Sequence, residues 1–280
     1  MSRHTSFRIG GPADCYLELR SREELSRLMS LARDLGLPVF FLGWGSNLLV
    51  RDRGIRGVAA RLRGDFEKVE FLEDCRVRAG AGVRLPRLVC LCAARGLSGA
   101  EPLVGVPGTV GGALVMNAGT REREIGDLVR EVEVFDPRAL SARSLSPSEL
   151  DFSYRASSLA GRIVLSGLLQ LKPGDKVDII RRIRDCQRKR LQTQPIHTFN
   201  VGSIFKNPPG RFVARLIEEA GLKGKARGGA RVSPKHANFI ENFAGAKAAD
   251  VLELVREIRR RVKASRGLEL ELEMKVVGEA

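Results

Sequence analysis

No apolar run in the chain approaches the ~20 residues that carry a helix across a bilayer. Stretches such as Val39–Leu42 end after a few residues, so no transmembrane helix is expected. No basic-then-apolar leader opens the sequence, which argues against secretion. Its five cysteines (Cys15, Cys75, Cys90, Cys92, Cys186) are odd in number and include no C-x-x-C pair. That speaks against a disulfide framework and a zinc site, and for a reducing cytoplasm. His4, His197 and His236 make no metal-ligand spacing, so no metal is expected. Aromatic residues are scarce, at 5%. No helix-turn-helix, zinc-finger or base-stacking motif is present, which weakens a nucleic-acid reading.

What the sequence does have is an uneven positive charge. The net charge is +15, and residues 181–280 hold 22 basic and 11 acidic residues. Such a surplus suits nucleic acid or a pocket for a small polyanion. Part of it, Arg256, Arg259–Arg261 and Lys263, reads as the solvated face of a helix. With 43% hydrophobic residues over 280 positions, there is material for two domains with packed cores.

Short strands and helices alternate along the first half. Cys15–Leu19 alternates as a half-buried strand, and Ser21-x-x-Glu24 is a capping box. Leu25, Leu28, Met29, Ala32 and Leu35 follow at helical spacing, until Gly36 and Pro38 end the helix. Val39–Leu42 reads as a buried strand feeding Gly43-Trp44-Gly45-Ser46-Asn47. A second helix spans Leu85–Arg95, and strands are expected near Leu128–Phe135 and Arg162–Leu171. Lys172-Pro173-Gly174-Asp175 is the best linker candidate. Helices are expected beyond it through Arg190, near Arg211–Ala220 and near Ala246–Ser265, then a strand over Leu268–Val276.

Two glycine clusters invite a nucleotide reading. Gly43-x-Gly45 follows a strand, but position 48 is Leu, so the Rossmann G-x-G-x-x-G pattern is incomplete. Small residues still let the backbone approach a phosphate, with Ser46 and Asn47 as side-chain donors. The second cluster, Gly105-Val106-Pro107-Gly108-Thr109-Val110-Gly111-Gly112, has no G-K-[ST] and is no Walker A loop. Two such loops without either standard motif point to a different cofactor fold.

His4-Thr5-Ser6-Phe7-Arg8-Ile9-Gly10-Gly11-Pro12-Ala13 resembles the opening motif of the UDP-N-acetylenolpyruvoylglucosamine reductases (UDP-N-acetylmuramate dehydrogenases). The resemblance continues through Gly43–Val50, Gly105–Gly112, Met116–Gly119 and Phe152-Ser153-Tyr154-Arg155-Ala156-Ser157. It extends through Gly202–Pro208, Ala220–Gly224, Ser233–Phe239 and Leu272–Gly278, covering nearly the whole chain in order. One departure is His197-Thr198-Phe199-Asn200, where the family more often has a small Pro/Ser-type run.

The resemblance implies an α+β fold with a two-lobed FAD-binding domain of the vanillyl-alcohol-oxidase type, residues 1–173 (lobes near 1–60 and 61–173). A substrate-binding α+β domain, 174–280, would follow. It implies an enzyme of peptidoglycan synthesis that takes hydride from NADPH through FAD and passes it to UDP-N-acetylenolpyruvoylglucosamine; a cytoplasmic monomer with no nucleic-acid or membrane partner is expected. Carried over by motif, Gly43, Gly45, Ser46, Asn47 and Leu48 would hold the FAD pyrophosphate. Gly105, Pro107, Gly108, Thr109, Gly111, Gly112, Asn117 and Ala118 would pack along the flavin and its ribityl chain. Ser203 would donate the proton, with Arg155 and Glu273 beside it and Lys206 and Asn207 on the substrate. Periodicity alone gives no reason to prefer Glu273 over Glu269 or Glu271. Residues 41–57 contain neither His nor Cys, so FAD should be non-covalent. With only Tyr16 and Tyr154, both inside other motifs, the chain is similar to the shorter branch lacking a Tyr-bearing flap. An oxidase of the same fold acting on another small substrate is the alternative.

Overall fold

The computed structural model describes residues 1–279. Its helices begin where local chemistry supplies a cap. In α1 (Arg22–Asp34) the Ser21 hydroxyl accepts from the Glu24 N–H at 3.3 Å, and the Glu24 carboxylate accepts from the Arg20 N–H at 2.6 Å. That is a capping box reaching one residue further back than usual. Leu25, Leu28 and Ala32 are buried, Leu35 is 60% exposed, and Gly36 adopts φ +63° to end the helix. α2 (Leu85–Ala94) stops before Gly96, at φ +68°.

The second glycine cluster is not wholly a loop. α3 (Val110–Met116) starts inside it because the Thr109 hydroxyl accepts from the Gly112 N–H, capping the helix. α4 (Lys176–Thr193), α5 (Val213–Glu219) and α6 (Ala248–Arg266) complete the set. α6 buries Val251, Leu254, Val255, Ile258 and Val262, a helical stripe, and Gly267 at φ +67° follows it.

The chain divides into two compact units: residues 1–14, 45–56 and 190–280 form one, and 15–44 and 57–189 the other. This differs from a chain-order division at 173/174. Segments 1–14 and 45–56 belong with the C-terminal unit because Phe7, Ile9 and Leu49 join Val201, Phe205, Ile217 and Ile258 in its core. That unit carries an antiparallel sheet of Ala226–Arg227, Ala230–Val232 and Ile240–Asn242. The other unit is built on a five-stranded antiparallel sheet in the order Val69–Phe71, Arg76–Gly80, Ile163–Gln170, Val129–Asp136, Ser141–Leu145. α2, α3 and the first half of α4 pack into its core.

Two sequence expectations change. Lys172–Pro173 is no linker. It pairs antiparallel with Leu97–Ser98, and the Gly174 N–H donates to the Gly96 carbonyl at 2.9 Å. Nor is Leu268–Val276 one strand: only Lys275–Val277 is, parallel to Leu48–Val50. The residues before it make only an isolated antiparallel bridge, Leu272 with Phe205, while Leu270 O accepts from the Arg259 side chain, so no continuous ladder forms. The alternation survives as burial, with Leu270 and Met274 inside and Glu269 and Glu271 outside. Val39–Phe41 is a strand as expected, but half-buried.

Candidate active site

Ser203 lies on a segment held by neutral hydrogen bonds. Asn238, 3% exposed, clamps the two residues after it. Its carbonyl accepts from Ile204 N–H at 2.9 Å, its Oδ1 from Phe205 N–H at 3.0 Å, and its Nδ2 donates to Phe205 O at 2.8 Å. Before the serine, Asn200 Oδ1 accepts from the Gly202 N–H at 3.0 Å, and Asn200 Nδ2 donates to Pro195 O. The departure at His197–Asn200 is therefore a folded turn. Gly202 has φ +80° with open space where a Cβ would sit, so glycine is needed for its conformation. The Ser203 hydroxyl itself makes no hydrogen bond among the described residues.

Glu273 belongs to the same unit and flanks an isolated antiparallel bridge to the Ser203 segment. Its N–H donates to Ile204 O at 2.9 Å, and Phe205 bridges Leu272. The register thus sets Glu273 opposite the residue following Ser203, a distinction from Glu269 and Glu271 that periodicity lacked. Asn47 ties the glycine loop to this strand: its Nδ2 donates to Glu273 O at 3.0 Å and its carbonyl accepts from Lys275 N–H at 2.9 Å. Leu48 opens the strand paired with Lys275. Gly45, at φ +69°, has no room for a side chain against the His4 carbonyl, and Ser46 is half-buried beside it.

Lys206 forms an ion pair with Glu271 at 2.7 Å, and Asn207 Oδ1 accepts from the Val213 N–H, the first of α5. Both expected substrate residues thus carry bonds within their own unit.

In the other unit, a Cβ on Gly43 would come to 2.5 Å from the Thr109 Oγ1, and one on Gly111 to 2.8 Å from the Ala81 Cβ. These glycines permit close approach of chain to chain. Gly105 closes a short 3-10 turn, Gly108 is buried, and Pro107 and Gly112 are exposed. Asn117, at φ +43°, ends α3, and Ala118 N–H donates to Ala113 O. Both hydrogens of the Asn117 amide are engaged, on Glu124 Oε2 at 2.7 Å and Ser153 O at 2.9 Å. Its side chain therefore serves the Arg155 platform.

Arg155 itself has φ +56° and a side chain 16% exposed. Its Nη1 donates to Glu124 Oε1 at 3.0 Å and its Nη2 to Gly119 O at 3.0 Å. Burial raises the Glu124 carboxyl above its ordinary value, against the pull of Arg155. Glu124 and Asn238 were missed by sequence reasoning. Glu124 stands 31 residues from its arginine and Asn238 stands 33 from Phe205. Only the motifs around them hinted at a role.

Trp44 was also passed over. The Arg84 guanidinium lies 3.5 Å from its ring centroid and that of Arg61 5.7 Å. Arg84 Nε is buried without a partner. An orphaned buried donor on a cation, beside Gly43 and Thr109, fits a phosphorylated cofactor. Among the described residues no group of three His, Cys, Asp or Glu is arranged to hold a metal, and no helix is long and apolar enough to cross a membrane.

Residues 13–140 match the model of an FAD-binding domain, and residues 194–277 that of the UDP-N-acetylenolpyruvoylglucosamine reductase C-terminal domain. UDP-N-acetylenolpyruvoylglucosamine reductase 2 of Symbiobacterium thermophilum is 45% identical, covering 99% of this chain and 90% of its own. The reductase of Moorella thermoacetica is 47% identical, covering 100% and 92%. The crystal structure of the Thermus caldophilus reductase superposes with TM-score 0.87 at 41% identity, covering 99% of this chain and 97% of that one. The fold is thus α+β, with an FAD-binding domain ahead of the C-terminal domain. The chain belongs to the UDP-N-acetylenolpyruvoylglucosamine reductase family.

Proposed function

We propose that this protein reduces the enolpyruvyl group of UDP-N-acetylenolpyruvoylglucosamine to a lactyl ether, giving UDP-N-acetylmuramate for peptidoglycan synthesis. NADPH is the reductant, FAD is bound non-covalently, and the enzyme works as a cytoplasmic monomer. The observation that carries the reading is the Ser203 hydroxyl, held in place by the Asn238 clamp yet engaged by no other described residue.

Bound FAD supplies hydride carriage between NADPH and substrate. Gly43, Gly45, Ser46, Asn47 and Leu48 would hold its pyrophosphate, with Gly105, Pro107, Gly108, Thr109, Gly111, Gly112, Asn117 and Ala118 along the remainder. For Asn117 and Thr109 this support is partly indirect, since their side chains carry the Arg155 platform and cap α3.

Hydride addition at the β-carbon of an enol-ether carboxylate leaves an enolate with charge on the carboxylate side. A fixed cation and hydrogen-bond donors are the strongest stabilisers of such developing charge. Arg155 offers a planar fork matched to a carboxylate and is held against drift by Glu124 and the Gly119 carbonyl. Ser203 then delivers its proton to the α-carbon, a donor sufficient for so basic an enolate. Glu273 assists in protonated or hydrogen-bonded form, because a bare carboxylate would oppose the charge. Lys206 and Asn207 would meet the substrate diphosphate.

The test is NADPH oxidation by the purified yellow protein, with and without the UDP-enolpyruvyl substrate. Substrate-dependent oxidation with lactyl-ether product supports the reading. Oxygen consumption without NADPH, on another substrate, would replace it with an oxidase.

A further inference from the structure

The Trp44–Arg84 pair has no part in the proton-transfer chemistry, and its construction is unusual. Arg84 is the residue just before α2, and its backbone is locked against the second glycine cluster. Leu85 N–H donates to Gly108 O at 3.0 Å, Val110 N–H to Val83 O at 2.8 Å, and Arg84 bridges Thr109. The guanidinium is fixed from the other side by the Trp44 ring at 3.5 Å. A guanidinium stacked in this way keeps its N–H edge available for in-plane bonds.

The charge around it is one-sided. No carboxylate pairs with Arg84 among the described residues, and its Nε is buried without a partner. Burial, and after it the neighbouring cations Arg61 and Arg63, lower its pKa. Arg63 is countered by Glu67 at 2.7 Å and Glu18 at 3.8 Å, but Arg84 is not. A half-buried cation with an orphaned donor and like-charged neighbours costs stability unless an anion completes it. Gly43 and Thr109, which pack against each other here, are the small residues expected along the cofactor.

We propose that Arg84, pre-oriented by Trp44, binds a phosphate oxygen of the FAD diphosphate. This adds a cationic contact to the glycine-loop cradle, and it rests on the FAD-dependent reading above.

The experiment uses the full chain stripped of flavin and titrated with FAD and, separately, riboflavin. Trp44 is the only tryptophan in the sequence, so its emission reports on the site directly. For Arg84→Gln the FAD Kd should rise about 10–100-fold, the range of a lost charge-assisted hydrogen bond. Riboflavin, which has no phosphate, should bind the variant as it binds the parent. Arg84→Lys should recover part of the FAD affinity, and raising salt should weaken FAD binding to the parent more than to Arg84→Gln. Circular dichroism and a thermal melt check that each variant folds; should Arg84→Gln fail, the Arg84→Lys and salt series still decide. An unchanged FAD Kd, or an equal loss for FAD and riboflavin, overturns the proposal. A parent chain that binds no flavin overturns both this proposal and the enzymatic reading, whereas a parent that binds FAD as tightly as Arg84→Gln overturns only this one.

Discussion

Two of the three residues proposed for the enolpyruvyl chemistry, Ser203 and Arg155, are anchored by different physics. Ser203 sits on a segment fixed by uncharged bonds, two from the Asn238 side chain and one from its backbone, all buried. Arg155 is held by charge, on a carboxylate that burial would prefer protonated. A proton donor needs position and must hold through changes of pH. A carboxylate binder needs a formal charge, and a counter-charge to orient it. The first anchor should therefore respond to lost hydrogen bonds and the second to lost or titrated charge.

The largest effect is expected at Ser203. Ser203→Ala should lower turnover by ~10²–10⁴-fold, the range for a general acid. Stability should change by less than about 0.5 kcal/mol, because the hydroxyl makes no bond among the described residues. Steady-state assays and urea melts measure both.

Asn238→Ala tests the neutral anchor. It orphans the buried N–H and C=O of Phe205, each worth about 1–3 kcal/mol, so a combined loss of about 2–6 kcal/mol is expected in urea unfolding. In the folded fraction, flavin reoxidation by substrate should slow while reduction by NADPH does not. An equal slowing of both steps would make Asn238 merely a fold residue.

Glu124→Gln tests the charged anchor. Glutamine keeps the shape but turns an N–H toward the Asn117 amide, so Arg155 loses its orientation. A drop in kcat of about tenfold, or ~1.4 kcal/mol, is expected. The parent should also lose activity on acidification as Glu124 takes up a proton, and the variant should lack that limb.

The smallest effect contrasts two carboxylates. Glu124, raised above its ordinary value of 4.5 by burial, contributes most to stability below 4.5, and that contribution is lost as pH rises through its folded pKa. Glu131 is lowered, chiefly by the hydrogen bond from Arg78, so its contribution is present above 4.5 and lost as pH falls through its folded pKa. Glu131→Gln should therefore flatten the acid side of the stability curve, read from urea midpoints across about pH 3 to 5. An unchanged slope would remove Glu131 from that balance.

What was legible in the sequence was local or carried by motif. α1 and α6 announced themselves through a cap and a 3.6-residue stripe, both confined to one segment. Lys172–Gly174 misled because turn residues look alike whether they join domains or pair with a strand 74 residues away, as Lys172 does with Ser98. Leu268–Val276 misled because alternation records burial, whereas a strand needs a continuous partner. Asn238, Glu124 and Arg84 act across long loops, and single-chain periodicity holds no trace of such pairs. Thr109 and Asn117 stood inside recognisable motifs, but only coordinates showed their side chains capping a helix and bracing an arginine.

The assignment of Ser203 is tested most directly by stopped-flow absorbance on Ser203→Ala, one half-reaction at a time. FAD content and the rate of flavin bleaching by NADPH should match the parent. After anaerobic reduction, mixing with the enolpyruvyl substrate should return the flavin absorbance far more slowly than in the parent, by at least ~10²-fold. Reoxidation at the parent rate, or a loss that falls on reduction by NADPH instead, would contradict a proton-donating Ser203 and leave it as a turn residue.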